Sequence, residues 1–93
     1  MNTPPSIDEV IAAINAADGL IASLETEERD AAPEHVGLIL IEADSSCPRF
    51  HEALKHDAVG FVIDGALREL GLHDRLKFVD SDDAVSEAWY RLV

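Results

Sequence analysis

The sequence predicts an α/β fold: a small sheet of three or four mostly parallel strands with helices packed on its faces. Short apolar runs rich in Val, Ile and Leu occur after residue 35, as in strands that are buried on both faces. Segments with helical apolar spacing alternate with these runs, and such alternation favours parallel pairing through right-handed crossovers. The length of 93 residues and the 47% hydrophobic content suit one acidic domain over residues 1–93.

The first predicted element is a helix that begins at a capping box. Ser6 and Glu9 have the spacing at which the serine oxygen accepts a first-turn N–H and the glutamate reaches back. Apolar residues then recur at steps of three and four as far as Leu24, although Gly19 interrupts them. Two interpretations stay open: a continuous helix to Leu24, or a helix that stops before Gly19 and is followed by an edge strand over 20–24.

Strands and helices are expected to alternate in the rest of the chain. Residues 1–5 are expected to be disordered or extended, and residues 25–35 to form a polar loop. The predicted strands are residues 36–41, 59–63 and 76–79. The predicted helices are one that starts at Pro48, one over 67–70 that ends near Gly71, and one over 84–92. The first two strands should be neighbours, with four residues among the best-buried positions: Leu38, Leu40, Phe61 and Ile63.

The charge of the chain is strongly negative. Seven Lys and Arg oppose 19 Asp and Glu, which gives a formal net charge of −12. Nucleic acids and anionic bilayers would repel such a chain, so we expect neither as a direct partner. A single cysteine, Cys47, and the lack of a signal peptide or a long apolar run lead us to expect a cytoplasmic protein that is neither exported nor embedded. Two reasons for the acidity stay open: binding to basic partners, or solubility in a high-salt cytoplasm.

Acidic residues follow each predicted strand. Glu42 and Asp44 follow the first strand, Asp64 follows the second, and Asp80, Asp82 and Asp83 follow the third. Since parallel strands end at one edge of a sheet, these carboxylates could converge and hold Mg²⁺ there. They could instead cap the helices that follow. No cofactor is predicted, since the chain contains no complete nucleotide-binding or hydrolase motif and its four histidines lack ligand spacing.

On the predicted last helix, Trp89 and Tyr90 are adjacent and therefore point to different sides. Trp89 aligns with Val85 and Leu92 on the apolar side, so we expect it to be buried. Tyr90 is then left partly exposed, where it could contact a partner.

Two families resemble parts of the chain. Residues 67–89 resemble the carboxyl end of STAS domains, the anti-sigma-factor-antagonist family, in which a leucine helix and a Gly-Leu turn precede a strand and a closing helix. Asp44-Ser45-Ser46 is similar to the start of that family's Asp-Ser-Ser-Gly segment, although Cys47-Pro48 replaces the glycine. This resemblance implies an α/β regulatory domain that is phosphorylated at Ser46.

The segments LILIEADSS, VIDGALREL and KFVD are also similar to response-regulator receivers. That second resemblance implies a different role for the acidic residues. Glu42 and Asp44 would hold Mg²⁺, and Asp80 would accept a phosphoryl group.

The leading hypothesis from the sequence is a small, non-enzymatic, acidic protein-interaction domain. It would act as a regulator, antagonist or inhibitor by docking on a basic surface of a larger protein, with homo-oligomer formation left open. The alternative is a Mg²⁺-dependent phosphotransfer domain, similar to a receiver, that uses four carboxylates at the sheet edge, those of Glu42, Asp44, Asp64 and Asp80. The expected binding residues are Glu42, Asp44, Ser46, Asp64, Asp80, Asp82 and Tyr90.

Overall fold

Four antiparallel strands form the sheet of this protein, in the order β1-β2-β4-β3. The structure is a computed structural model that describes residues 6–26 and 32–93. Its elements are α1 (Ile7–Asn15), β1 (Leu20–Leu24), a 3₁₀ turn (Pro33–His35), β2 (Ile39–Ala43), α2 (Pro48–His51), α3 (Ala53–His56), α4 (Val59–Glu69), β3 (Leu76–Asp82) and β4 (Glu87–Leu92). The prediction of helices combined with a small sheet is confirmed, whereas the prediction of mostly parallel pairing is wrong. The N-terminal prediction for residues 1–5, and part of the predicted loop, lie outside the described residues.

The helix α1 starts at the predicted capping box and ends before Gly19. The Glu9 N–H donates to Ser6 Oγ at 3.3 Å, and the Ser6 hydroxyl donates to Glu9 Oε1 at 3.3 Å. Gly19 has a φ of +82°, and a Cβ at this position would lie only 2.7 Å from a ring carbon of Phe50. Only glycine satisfies both conditions without displacing its neighbours. The interpretation in which the helix stops and an edge strand follows is therefore correct.

The strand β1 is held on one side by β2 and on the other by a side chain of α1. Asn15 Oδ1 accepts the Ala22 N–H at 2.7 Å, and Asn15 Nδ2 donates to the Ala22 carbonyl at 2.9 Å. The side chain thus pairs with a backbone unit as a neighbouring strand would. Asn15 therefore satisfies part of an edge that would otherwise present free N–H and C=O groups.

The strand β2 lies later in the chain than predicted, at 39–43 rather than 36–41. Gly37 has a φ of +88°, and residues 36–38 form a turn that leads out of the 3₁₀ segment. Leu38 is buried as predicted, with 4% exposure. Leu40 is only partly buried, because alternation along the strand directs it away from the helices.

The second predicted strand, residues 59–63, is the first half of α4. Helical spacing places Val59, Ile63 and Leu67 on the sheet, and all three are at most 1% exposed. Phe61 points away from that face and is 78% exposed, so its predicted burial is wrong, whereas that of Ile63 is correct. A run of five apolar residues fits either secondary structure, and here the apolar residues that follow it extend the helical pattern.

Both ends of α4 are capped. Asp83, from the turn between β3 and β4, accepts the Val59 N–H through Oδ1 at 2.7 Å. At the other end Gly71 has a φ of +73°, and the Leu72 N–H donates to the Leu67 carbonyl at 2.9 Å in a Schellman arrangement. The helix end predicted near Gly71 is therefore confirmed.

The predicted last helix, residues 84–92, is the second strand of a β-hairpin. β3 and β4 pair over Leu76–Asp82 and Glu87–Leu92, with a bulge between Phe78 and Asp80. β4 also pairs with β2, so its backbone groups are satisfied on both sides. The long-range pairing therefore overrides an apolar pattern that fits a helix equally well.

The period of two in β4 reverses the predicted roles of its two large aromatic residues. Tyr90 faces the helices and is 0% exposed, so the prediction of an exposed contact tyrosine is wrong. Trp89 faces the other side of the sheet and is partly exposed rather than a core residue. Neighbouring residues in a strand point to opposite faces, and the partners of β4 decide which face is covered.

The hydrophobic core lies between the helices and one face of the sheet. Its fully buried large side chains are Tyr90, Ile14, Ile39, Ile41, Ile63, Leu67, Val10 and Val59. None of the helices in residues 6–26 and 32–93 is long and apolar enough to cross a membrane. The opposite face, here called the open face, is covered by no α-helix among those residues, and the 3₁₀ turn contacts it through His35. It carries the outward-facing residues of each strand, which include Ile21, Leu40, Glu42, Glu87, Trp89, Asp80 and Asp82.

Candidate functional site: an acidic open face and an aromatic cleft

The seven predicted binding residues do not form one site. The prediction that the acidic residues among them converge at one edge required parallel strands, whereas antiparallel strands end alternately at opposite edges. Glu42, Asp80 and Asp82 lie on the open face, whereas Asp64 lies on α4. Asp44 and Ser46 belong to the turn before α2, and Tyr90 is buried beneath the helices. Asp44 and Ser46 are hydrogen-bonded to each other, and Glu42 and Asp82 both lie beside a residue that was not predicted.

That residue is Glu87, which lies between them in a row of acids across three strands. Glu42 is the direct partner of Glu87 on one side, and Asp82 is its partner on the other. Residues that face each other in antiparallel strands have Cβ atoms about 4.5–5.5 Å apart, so these carboxylates repel one another. The pKa of Glu87 is raised above its ordinary value, first by partial burial and then by the charges of Glu42, Glu25 and Asp82. We call Glu42, Glu87 and Asp82 the acidic row.

Asp44 and Ser46 form a local turn. Asp44 Oδ1 accepts the Ser46 N–H at 2.9 Å and the Ser46 hydroxyl at 2.7 Å. These hydrogen bonds hold the pKa of Asp44 below its usual value. Both residues are exposed, so the turn is accessible, and its geometry is that of an Asx turn leading into α2.

Asp80 belongs to a second cluster on the open face. Its Oδ2 lies 3.1 Å from His35 Nε2, and the hydrogen bond from His35 lowers the pKa of Asp80. The His35 ring stacks on Trp89 with a centroid distance of 4.0 Å. Asp80 and Trp89 are themselves cross-strand partners. The cluster attaches the 3₁₀ turn to the hairpin.

Asp64 contributes to a cleft between α4 and β3, which we call the α4–β3 cleft. The cleft has a volume of about 360 Å³ and is lined by Ala58, Gly60, Phe61, Asp64, Phe78 and Ser81. Its walls are mainly two aromatic rings, Phe61 from the helix and Phe78 from the strand. Asp64 also pairs with Arg68, one helical turn later, with Oδ2 and Nε 3.4 Å apart.

Tyr90 supports the strand wall of this cleft from inside the core. Its ring meets Phe78 edge to face, with centroids 5.8 Å apart and planes at 83°. The Tyr90 hydroxyl is buried and has no hydrogen-bond partner among the described residues. Burial, and secondarily the charge of Asp64, raises the pKa of this hydroxyl. The expected contact residue is therefore a buried support for an exposed ring.

The residues that the sequence reasoning missed are Glu87, Phe61, Phe78 and His35. Strand alternation in 87–92 could have identified Glu87 as an outward-facing neighbour of Trp89. The exposure of Phe61 depends on the helical state of 59–63, and no local signal distinguishes that state from a strand.

The arrangement offers charge and apolar surface rather than a metal centre. Within residues 6–26 and 32–93, no group of three or more His, Cys, Asp or Glu side chains could hold a metal ion. The four acids suggested for Mg²⁺ are divided among the open face, α4 and the turn after β2. The acidic row can attract cations, and the α4–β3 cleft can accept an apolar side chain.

Comparison of the chain with protein-family models, with curated proteins and with solved structures found no match. The resemblances to STAS domains and to receivers therefore stay predictions.

Proposed function

We propose that this protein is a small, non-enzymatic, acidic interaction domain that acts as a regulator, antagonist or inhibitor by docking on a basic surface of a larger protein. The observation that carries the proposal is the net charge of −12 on a chain of only 93 residues. A field of this size raises the association rate with positively charged partners and makes that rate sensitive to salt.

The placement of the charges supports this proposal. Glu42, Asp44 and Asp82 are exposed, and the acidic row lies on a sheet face that no described α-helix covers. The pKa of Glu87 is raised, first by partial burial and then by the charges of neighbouring acids, so its ionised form is less favourable in the folded protein than in the unfolded chain. A cationic partner would offset the part of this cost that comes from the neighbouring acids.

The alternative, Mg²⁺-dependent phosphotransfer, has less support. Its four carboxylates would have to surround one ion, but Asp64 lies on the helix side of the sheet and Asp80 is hydrogen-bonded to His35 on the open face. Asp44 is engaged with Ser46 in a turn. The geometry therefore favours the interaction domain.

The experiment uses the full chain, immobilised through a tag, to capture partners at low salt. Each retained protein is identified and purified, and its association rate is then measured over a series of NaCl concentrations. We expect a basic partner whose association rate falls steeply as salt rises. A Glu42→Lys, Asp82→Lys double variant should bind more slowly, whereas Asp8→Lys, which changes an exposed acid on α1, serves as the single-site charge control. The proposal would be contradicted if no partner were retained, or if the association rate did not change with the NaCl concentration.

A further inference from the structure

An exposed aromatic side chain on α4 has no role in the core of this protein. Phe61 is 78% exposed, although its neighbours Val59 and Ile63 are buried on the sheet. Phe78, across the cleft, is 46% exposed. Large apolar side chains that adjoin one another at the surface mark interaction sites more often than isolated ones do.

The exposed ring of Phe61 separates two depressions in the surface, and we call this ring the aromatic ridge. On one side is the α4–β3 cleft of about 360 Å³. On the other is a groove of about 290 Å³ between α4 and the two short helices α2 and α3, whose lining includes Phe50, Asp57, Phe61 and Glu69. The cleft is at the small end of the range for ligand pockets, and it is large enough for one aromatic or branched aliphatic side chain.

The strand wall of the cleft is held in place before any partner binds. Phe78 packs edge to face on the fully buried Tyr90. A Cβ on Gly60 would lie 3.1 Å from the Phe78 ring, so the missing side chain leaves room for that ring against α4. A wall that is already ordered loses little side-chain entropy when a partner docks.

The charges around this aromatic ridge are mainly negative and therefore favour a cationic partner. Four carboxylates surround it: Asp57 and Glu69 at the groove, Asp64 in the cleft, and Asp83 at the start of α4. Within residues 6–26 and 32–93, two of these acids are paired with guanidinium groups, Glu69 with Arg49 and Asp64 with Arg68. The local balance is therefore negative.

We infer that the α4–β3 cleft is the anchoring site for the partner: a segment of a basic protein inserts one aromatic or large aliphatic side chain beside Phe61, while flanking Lys or Arg side chains meet Asp57 and Asp64. This inference rests on the proposed function and specifies where on the molecule that function is performed. Buried aromatic anchors surrounded by charged contacts carry most of the energy of many interfaces.

The test selects peptide ligands for the full chain from a displayed library of random peptides, and then measures dissociation constants of the selected synthetic peptides by fluorescence anisotropy. The variants are Phe61→Ala and Asp64→Asn. Their matched controls are Ile21→Ala, which truncates a side chain of 54% exposure on the open face, and Asp8→Asn, which neutralises an exposed acid on α1. All four positions are partly or fully exposed, so the variants should fold, which circular dichroism verifies.

We expect selected peptides that combine Lys or Arg with one aromatic or large aliphatic residue. Phe61→Ala should raise their dissociation constants by about tenfold or more, as the loss of an anchor contact does. Asp64→Asn should raise them about two- to fivefold at low salt and less at high salt, because the lost contact is screened. Ile21→Ala and Asp8→Asn should leave them within about twofold.

The possible results distinguish an error in the anchoring site from an error in the proposed function. Basic peptides that bind in a salt-dependent manner, but lose affinity in the Glu42→Lys, Asp82→Lys double variant and keep it in Phe61→Ala, would place the interface on the open face. The anchoring site would then be wrong and the proposed function would stand. Selected peptides without basic residues, or no binders at all, would overturn both.

Discussion

At the scale of single residues, Tyr90 combines a well-packed ring with a hydroxyl group whose burial opposes folding. Tyr90 is completely buried, yet its hydroxyl has no partner among the described residues. A buried polar group without a hydrogen bond costs about 1–3 kcal/mol relative to a satisfied one. The ring of Tyr90 therefore stabilises the core by packing, whereas its hydroxyl oxygen adds no stability.

Replacement of Tyr90 should therefore give opposite results for two variants. Tyr90→Phe keeps the ring against Phe78 and should leave the free energy of unfolding unchanged or raise it by up to about 1 kcal/mol. Tyr90→Ala should lower it by about 3–5 kcal/mol, because a cavity opens in the core. Urea unfolding of both variants makes the comparison. A loss of more than about 1 kcal/mol in Tyr90→Phe would mean that the hydroxyl is satisfied after all.

Glu87 is a second residue whose charge opposes folding. Its pKa is raised in the folded protein, so its ionised form is less favourable there than in the unfolded chain. The folded protein is therefore penalised at neutral pH. The penalty disappears as the pH falls through the raised pKa and then below the ordinary value of 4.5.

Glu87→Gln should raise the free energy of unfolding at pH 7 by about 0.2–1 kcal/mol, the size of a cross-strand pair interaction. The gain should vanish below about pH 4, where the unfolded glutamate is also protonated. Thermal or urea unfolding from pH 3 to 8 measures it, with Asp74→Asn, on an exposed turn, as the control. An equal gain at pH 3 and pH 7 would show that charge is not its cause.

At the scale of elements, the helical conformation of α4 determines which apolar residues of 59–63 are buried in the core. Residues 59–63 form an apolar run with no polar interruption, and either a strand or a helix could bury it. As a helix it places Ile63 at 0% exposure and Phe61 at 78%. A strand would have placed both on the same face, since they are two residues apart.

This difference predicts unequal effects of truncation. Ile63→Ala should lower the free energy of unfolding by about 2–5 kcal/mol, through lost transfer energy and a cavity. Phe61→Ala should lower it by less than about 1 kcal/mol, because the ring is mostly in water already. Urea unfolding of the two variants is sufficient. Equal, large losses would mean that 59–63 is a buried strand and that the aromatic ridge does not exist.

At the scale of the whole molecule, the excess of acids acts against compactness. Nineteen acidic residues oppose seven basic ones, and folding brings these charges closer together. The ion pairs between described residues mostly lie at the surface, where such pairs contribute little. Screening of the repulsion should therefore stabilise the fold.

Raising NaCl from about 20 mM to about 500 mM shortens the screening length from roughly 20 Å to under 5 Å. We expect the melting temperature at pH 7 to rise by several degrees, about the change that 1 kcal/mol produces in a domain of this size. At a pH near the isoelectric point of about 4.4, the same salt should have a much smaller effect. A rise of equal size at both pH values would assign it to a general salt effect on hydrophobic burial.

Local sequence by itself determined the features whose signals act within a few residues. The capping box at Ser6 and the helix end at Gly71 were predictable, because capping oxygens and positive φ angles depend on the adjacent backbone. The stop at Gly19 was one of two interpretations. The two interpretations of 20–24 stayed open because its alternation is short. Composition determined the acidity, and with it the expectation of a basic partner.

Only the tertiary structure decided the state of 59–63, the hairpin of 76–92 and the direction of the strands. A five-residue apolar run fits both periods, and the choice depends on which partner buries it. β4 is a strand because β2 and β3 satisfy its backbone on both sides. That pairing placed Glu87 between Glu42 and Asp82, buried Tyr90 and exposed Phe61 beside Phe78. The candidate sites therefore depend on contacts between residues far apart in the chain, which no local pattern records.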